Sequence, residues 1–246
     1  MSTQANKVAI VTGASRGIGA AIAQRLARDG FAVAVNYAGD TASADALVKQ
    51  IETTGGKAIA VKADVADAAA VRALFDATEK AFGGVDVLVN NAGIMQLAKI
   101  ADADDAQFDR QIAINLKGTF NGLREAARRM RNGGRIVNFS TSVVGTKLES
   151  YGIYTATKAA VESLTAILSK EMRGRSITVN AVAPGPTATD LFLTGKSPEL
   201  IERMARMPPL ERIATPEDIA GVVSFLAGPD GGWVNGQVLR ANGGLV

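Results

Sequence analysis

Tyr154 and Lys158 stand four residues apart in the run Tyr154-Thr155-Ala156-Thr157-Lys158, with Ser142 a short way upstream. On a helix, residues so spaced share one face, and a phenol and an ammonium there can converge. A phenol is a poor acid, with an ordinary pKa of about 10. A neighbouring cation favours the phenolate, each unit of downward shift being worth about 1.4 kcal/mol. Such a pair is a candidate general acid/base. Ala156, Ala159, Ala160, Val161, Leu164, Ile167 and Leu168 recur at helical spacing around it and predict a helix with these residues as its apolar stripe. An amphipathic helix can also carry a Tyr and a Lys by chance, so the rest of the chain decides.

Two absences narrow the chemistry. The 246 residues include no Cys and no His. Disulfides, thiolate nucleophiles, zinc sites built on Cys or His and Ser-His-Asp triads are excluded, and no metal site is expected. An enzyme of this composition must move protons with Tyr, Lys, Asp or Glu. The chain is 47% hydrophobic, enough for a sizeable core, with no apolar run long enough to span a bilayer. Met1 to Asn6 is polar, leads straight into an apolar strand and does not read as a signal peptide, so a cytoplasmic protein is expected. Lys and Arg exceed Asp and Glu by 27 − 24 = 3, spread thinly, which makes a weak case for nucleic acid or a membrane as partner.

The elements that must position the pair alternate along the chain. Lys7 to Val11 reads as a strand ending at Thr12-Gly13-Ala14-Ser15-Arg16-Gly17-Ile18-Gly19. A helix follows with Ile18, Ile22 and Leu26 on one face, and Gly30 is placed to end it. Strand, glycine turn and helix in that order make a phosphate-binding arrangement: the backbone can approach closely, and the helix N-terminus offers free N–H groups. Ala32 to Asn36 is the second strand. It runs on through Tyr37 and Ala38 with no carboxylate before Asp40. An acid at this strand end would accept from the ribose 2′-hydroxyl of NAD. Its absence, with Arg16 in the turn, points to NADP.

Ser43 to Thr53 reads as a helix and Ala58 to Lys62 as a strand, closed by Asp64-Val65, where a carboxylate could bond the adenine amino group. Asp67 to Phe82 is helical, Val85 to Val89 is a buried strand, and Asn90-Asn91-Ala92-Gly93 is a small-residue turn. A long helical region from about Asp104 to Met130 carries Asn115, a residue that helix interiors disfavour. The strand Arg135 to Phe139 ends in Ser140-Thr141-Ser142. Beyond the Tyr154 helix come the strand Ile177 to Val182 and then Pro184-Gly185-Pro186-Thr187. The Met- and Pro-rich stretch 187–210 has no clean period and reads as a mobile flap over a site. Thr215-Pro216-Glu217-Asp218 opens another helix, and Gln237 to Arg240 is a last short strand. With no repeat and no linker, residues 1–246 are expected to form one α/β domain on a doubly wound, mostly parallel sheet.

These residues together resemble the short, single-domain branch of the short-chain dehydrogenase/reductases. The resemblance rests on Thr12-Gly13…Gly17-Ile18-Gly19, Asp64-Val65, Asn90-Asn91-Ala92-Gly93, Asn115, the Ser-rich strand end, Tyr154-x-x-x-Lys158 and Pro184-Gly185. The nearest look is to 3-oxoacyl-carrier-protein reductases. The resemblance implies a Rossmann-type fold and an oxidoreductase passing a hydride between NADP(H) and a carbonyl or alcohol, NAD(H) being the lesser cofactor. It implies that Tyr154 protonates the carbonyl oxygen, that Lys158 lowers the Tyr154 pKa and binds the nicotinamide ribose, that a hydroxyl near Ser142 polarises the carbonyl, and that Asn115 holds a water relaying protons to Lys158. The implied cofactor contacts are Gly13, Ser15, Arg16, Gly17, Ile18, Gly19, Asn36, Tyr37, Ala38, Asp64, Val65, Asn91, Ala92, Gly93, Tyr154, Lys158, Pro184, Gly185, Thr187 and Thr189.

Two departures stand out. The family's serine usually lies about thirteen residues before the tyrosine, where this chain has Thr141. Ser142 directly precedes Val143-Val144-Gly145, as that serine typically does, so Ser142 is taken as the catalytic hydroxyl, with Thr141 the alternative. Near the end, Asn242-Gly243-Gly244 replaces the family's Asp-Gly-Gly. The substrate is expected to be a small carbonyl compound, in one reading carried on an acidic carrier protein that docks on Arg128, Arg129, Arg131, Arg173 and Arg175. A homotetramer is expected from the family. A non-catalytic NADP sensor, or an alcohol, sugar or steroid dehydrogenase, are the alternatives.

Overall fold

Val8–Val11, Ala32–Tyr37 and Val87–Asn90 are buried at every position, the pattern of parallel strands covered on both faces. The computed structural model describes residues 7–246; the polar lead-in Met1 to Asn6 lies outside them. Among the described residues the order is β1 (Val8–Val11), α1 (Gly17–Arg28), β2 (Ala32–Tyr37), α2 (Thr41–Thr53), β3 (Lys57–Lys62), α3 (Ala68–Phe82), β4 (Val87–Asn90) and α4 (Asp105–Gln111). A π-helical turn (Ile112–Lys117) leads into α5 (Gly118–Arg129), then β5 (Arg135–Phe139), α6 (Val143–Thr146), α7 (Gly152–Glu171) and β6 (Thr178–Pro184). Two short helices, α8 (Asp190–Leu193) and α9 (Pro198–Ala205), precede α10 (Pro216–Ala227), a 3-10 turn (Asp230–Trp233) and β7 (Val238–Ala241).

The strands form one parallel sheet in the order β3-β2-β1-β4-β5-β6-β7. Residues alternate between its two faces. Ala9 and Val11 join α1, α2 and α10 in one core, while Ile10 joins α3, α5 and α7 in the other. This is the doubly wound α/β architecture expected. Its order reverses between β1 and β4, and a crevice opens at such a switch point, outside the strands' C-terminal ends.

Buried polar groups tie the layers at that edge. Asn90 Nδ2 donates to Asn138 Oδ1 across β4 and β5 at 2.9 Å, Asn138 Nδ2 donates to Thr165 Oγ1 on α7 at 2.9 Å, and Thr165 Oγ1 donates to Val161 O at 2.8 Å. Several helices begin on caps visible in sequence. Asp40 accepts from Ser43 N, Asp67 from Ala69 N, and Thr215 with Asp218 completes a capping box.

The structure departs from the expected elements in three places. The region 104–130 is helical throughout as expected but not regular: a wider turn at Ile112–Lys117 joins α4 to α5, and Asn115 lies in it. The inward face of α7 is Thr157, Lys158, Val161, Thr165 and Leu168, whereas Ala156, Ala159 and Ile167 face outward. Polar partners in the sheet, not hydropathy, choose that face. Within 187–210 the backbone forms α8 and α9.

The arginines read as a carrier-docking group lie at the other end of the sheet. Arg131 N donates to Val85 O and Gly133 N to Arg175 O, beside the starts of β4 and β5, roughly a strand's length from the catalytic edge. Arg129 is already spent, bridging Asp76 and Glu79 of α3 at 2.6 Å each and Glu125 at 3.4 Å. Arg131 pairs with Asp86 at 3.1 Å, and Arg175 donates to the carbonyls of Ala127 and Met130. Glu125 is only 3% exposed, and a buried charge stripped of its partner costs about 3–5 kcal/mol. Arg129→Ala should therefore lower unfolding stability by about 3 kcal/mol in urea titration. Stability within 0.5 kcal/mol of wild type would mean that Arg129 is a surface charge and free to dock.

Candidate active site

Lys158 is 4% exposed, and its Nζ donates to Phe139 O, at the end of β5, at 2.9 Å. The same nitrogen lies 5.9 Å from the centre of the Tyr154 ring. Burial disfavours the ammonium and brings Lys158 down to about 8. Burial also pushes the Tyr154 phenol up to about 12, against an opposing pull from the Thr141 hydroxyl, with Tyr151 adding to the rise. The Tyr151 ring meets Tyr154 edge-on at 6.4 Å. Lys158 is not among the causes of this shift: its ammonium donates to the Phe139 carbonyl, and burial keeps the phenol neutral. A neutral phenol is a proton donor.

The hydroxyl beside Tyr154 belongs to Thr141, not Ser142. Ser142 is buried, donates from Oγ to Ala183 O at 3.2 Å and accepts from Asn242 Nδ2 at 2.9 Å. Thr141, the alternative, thus stands beside the phenol at the thirteen-residue spacing, and the chain turns into α6 between the two side chains.

Asn115 is fully buried. Its Oδ1 accepts from Ile94 N at 2.8 Å, and its Nδ2 donates to Ile94 O at 2.9 Å and to Thr157 Oγ1 at 3.3 Å. The carboxamide pairs with the loop backbone as a peptide would, which accounts for an asparagine in a helical stretch. These bonds fix Asn115 against the loop at Ile94. A Cβ built on Gly93 would lie 3.3 Å from Asn115 Oδ1 and 3.5 Å from Lys158 Nζ. Asn115 and Lys158 therefore flank one spot.

Two clefts meet at this point. One is lined by the predicted cofactor residues from Gly13 to Gly93, together with Thr189. The other holds Tyr154, Lys158, Pro184, Gly185 and Thr187, and the two share Ile18, Asn91, Gly93, Thr189 and Leu191. Sequence reasoning missed Asp40, Arg110 and Ile114 in the first cleft and Leu245 in the second; Arg110 carries no signal beyond its place on α4. Gly13, at φ +61°, folds the turn so tightly that a Cβ would sit 2.9 Å from Ala92 Cα. Thr12 Oγ1 accepts from the N–H groups of Asn91 and Ala92 at 3.0 Å each, and Asn91 Nδ2 donates to Thr12 O at 2.8 Å.

The first cleft fits a dinucleotide. Helix α1 starts without a side-chain cap and has no acid in its first turn, leaving N–H groups and dipole open to a pyrophosphate. Asn36 lines the cleft but is spent on structure, accepting from Gly13 N at 3.3 Å and donating to Ala63 O at 3.0 Å. Asp40, the first carboxylate after β2, accepts from Ser43 N at 3.0 Å and from Ser43 Oγ at 2.7 Å, with the Arg16 charge acting on it. The second cleft is an open cavity of about 160 Å³ with Met95, Leu148, Phe192, Met204, Met207 and Leu245 in its wall. Among the residues lining it, Lys158 carries the one charge.

Residues 13–246 match the family model described as enoyl-(acyl carrier protein) reductase. A short-chain type dehydrogenase/reductase of Picea abies is 46% identical over 98% of this chain and 92% of that protein. This chain belongs to the short-chain dehydrogenase/reductases. It is similar as well to NADPH-dependent aldehyde reductase 2, chloroplastic, of Arabidopsis thaliana, at 46% identity over 98% of this chain and 94% of that one. The solved short-chain dehydrogenase of Burkholderia cenocepacia in complex with NADP superposes with a TM-score of 0.92 at 38% identity, covering 97% of both chains. As a short-chain dehydrogenase/reductase, the chain is an oxidoreductase on a Rossmann-type fold.

The protonation of this site can be read directly. In a spectrophotometric titration of the cofactor-free chain against Tyr154→Phe, the difference signal of the Tyr154 phenolate should emerge only as the pH nears 12. Its emergence below 10 would show that Lys158, and not burial, governs the phenol.

Proposed function

We propose that this short-chain dehydrogenase/reductase uses NADPH to reduce neutral, apolar aldehydes or ketones. The observation that carries the reading is a neutral phenol beside a hydroxyl and a buried lysine, at the junction of a dinucleotide cleft and an apolar pocket free of other charge. The names of its relatives lend support, the Arabidopsis thaliana protein being an NADPH-dependent aldehyde reductase and the Burkholderia cenocepacia structure holding NADP.

When bound, the nicotinamide supplies a hydride to the carbonyl carbon. Tyr154 gives its proton to the carbonyl oxygen, and Thr141 donates a hydrogen bond to the same oxygen as charge develops there. The Lys158 ammonium stabilises the phenolate left behind and holds the nicotinamide ribose. Asn115 keeps the loop at Gly93 and Ile94 fixed beside Lys158. Asp64, which lines the first cleft, would bond the adenine amino group. Arg16 receives the 2′-phosphate, since the nearby Asp40 is occupied as the cap of α2 and not offered to a ribose hydroxyl. Residues 187–210 close over the substrate as a flap. The apolar wall suits a hydrocarbon-bearing carbonyl better than a phosphorylated or carboxylated one.

A 3-oxoacyl thioester is the narrower alternative; the description of the matched family names an acyl carrier protein, with an enoyl rather than a 3-oxoacyl group. Self-association into a tetramer belongs to the same proposal. Ile167 on the outer face of α7, Phe120 on α5 and Trp233, 98% exposed, present apolar surface that further copies would cover. So does a cytoplasmic location. No helix among the described residues is long and apolar enough to cross a membrane.

The test is a panel of neutral aldehydes, ketones and a 3-oxoacyl thioester with NADPH or NADH, followed by loss of the reduced-nicotinamide absorbance. Tyr154→Phe and Thr141→Val should lose roughly 10²-fold or more in kcat with cofactor affinity nearly intact, and Ser142→Ala should lose far less. Near-wild-type turnover in Tyr154→Phe would end the mechanism. Reductive kcat/KM should fall as pH rises through about 8, where Lys158 gives up its proton.

Cofactor choice is tested separately. NADPH should bind more tightly than NADH. Arg16→Ala should weaken NADPH roughly tenfold to a hundredfold, the worth of a charge-assisted phosphate bond, and leave NADH nearly unchanged. Equal weakening of both would take Arg16 away from the 2′-phosphate.

A further inference from the structure

Asn242, the residue after β7, is 7% exposed and uses both ends of its carboxamide. Nδ2 donates to Ser142 Oγ at 2.9 Å and to Val246 O at 3.4 Å, while Oδ1 accepts from the N–H groups of Gly244 at 3.1 Å and Leu245 at 3.2 Å. Ser142 then passes its own hydroxyl proton to Ala183 O at 3.2 Å, and its backbone N–H goes to Pro184 O at 2.9 Å. One side chain thus joins three pieces of chain: the turn after β5 that bears Thr141, the end of β6, and the segment Gly243–Val246.

That segment is a wall of the substrate pocket. Leu245 lines the cavity. Val246 lies 3.0 Å from where a Cβ on Gly145 would sit, so it packs against the helix that follows Ser142. Leu210 N donates to Gly243 O at 3.3 Å, which ties the end of the 187–210 stretch to the same segment.

We propose that Asn242 is a positioning residue that holds Thr141 and the Leu245 wall in register, so that one contact sets both the proton-donor geometry and the size of carbonyl the pocket accepts. The role rests on the carbonyl-reductase reading. The direction of its hydrogen bonds is what matters. An amide can donate to Ser142 while accepting from Gly244 and Leu245. The family's aspartate can only accept when ionised. With a carboxylate here, the Ser142 proton must turn toward residue 242, Ala183 O loses its partner, and Val246 O faces a like partial charge. The turn that carries Thr141 and the segment that carries Leu245 would then separate.

The test compares wild type with Asn242→Asp, Ser142→Ala and the double variant, each assayed with NADPH on a small aldehyde and on a bulky aromatic ketone, with NADPH affinity and urea unfolding measured alongside. Asn242→Asp should lower kcat on the small aldehyde roughly tenfold while leaving NADPH affinity unchanged. It should shift the ketone-to-aldehyde ratio of kcat/KM in the direction that Leu245→Ala shifts it. In the Ser142→Ala background the same substitution should cost several-fold less, because the contact it disturbs is already gone; linked neighbours are non-additive in this way. If Asn242→Asp does not fold, Asn242→Ala takes its place in the same cycle. Additive effects, or a ratio that does not move, would overturn the positioning role while leaving the reductase reading intact. A wild-type chain inert on every carbonyl would overturn both.

Discussion

A buried ammonium is expensive unless something accepts from it, and Lys158 reaches the carbonyl of Phe139 at the end of β5. That bond can form only if α7 lies against the sheet with its polar line inward, and the line from Thr157 through Thr165 does so. The ladder from Asn90 through Asn138 to Thr165 braces the same face one turn further on. Tyr154 is then carried to the strand edge, where the two clefts meet. The parallel order of the sheet does the rest, since it puts the C-terminal ends of β1, β4, β5 and β6 on one side.

Burial tunes the two titrating groups in opposite senses. Burial favours the protonated phenol and disfavours the ammonium, which suits Tyr154 to giving a proton. An ion pair between them would have set the opposite bias. The surrounding wall contributes by what it lacks, because another charge in the pocket would compete with Lys158 for the field at the reacting oxygen.

Much of this was legible in the residues. The strand Arg135 to Phe139 and its Ser-rich end stand where the local pattern put them, and so do the glycine turn, the Asn90-Gly93 turn and the capped start of α10. Strands and capped helices are local, and local rules find them. What escaped was set by distant partners. Hydropathy found part of the inward face of α7, Val161 and Leu168, and missed Thr157, Lys158 and Thr165, the last two of which are matched to groups in β5. Of the arginines read as a docking group, Arg129 and Arg131 are paired with Asp76, Glu79 and Asp86 from other elements, and the turn into α6 sets the Ser142 and Thr141 hydroxyls on different partners. Asp40 was visible as a carboxylate, but its use as a cap needed Ser43 to be read with it.

The wide turn at Ile112–Lys117 has an evolutionary consequence. It holds one residue more per turn than the helices on either side of it, so it is the kind of feature that a single-codon insertion creates and a single-codon deletion erases. A deletion there would yield a more regular helix and rotate everything beyond it by about 100°, carrying Asn115 away from Ile94 and turning the α5 surface that faces α3. A change of length would have to be compensated across two helices at once, so a designer seeking a steadier variant should leave the length of this segment alone.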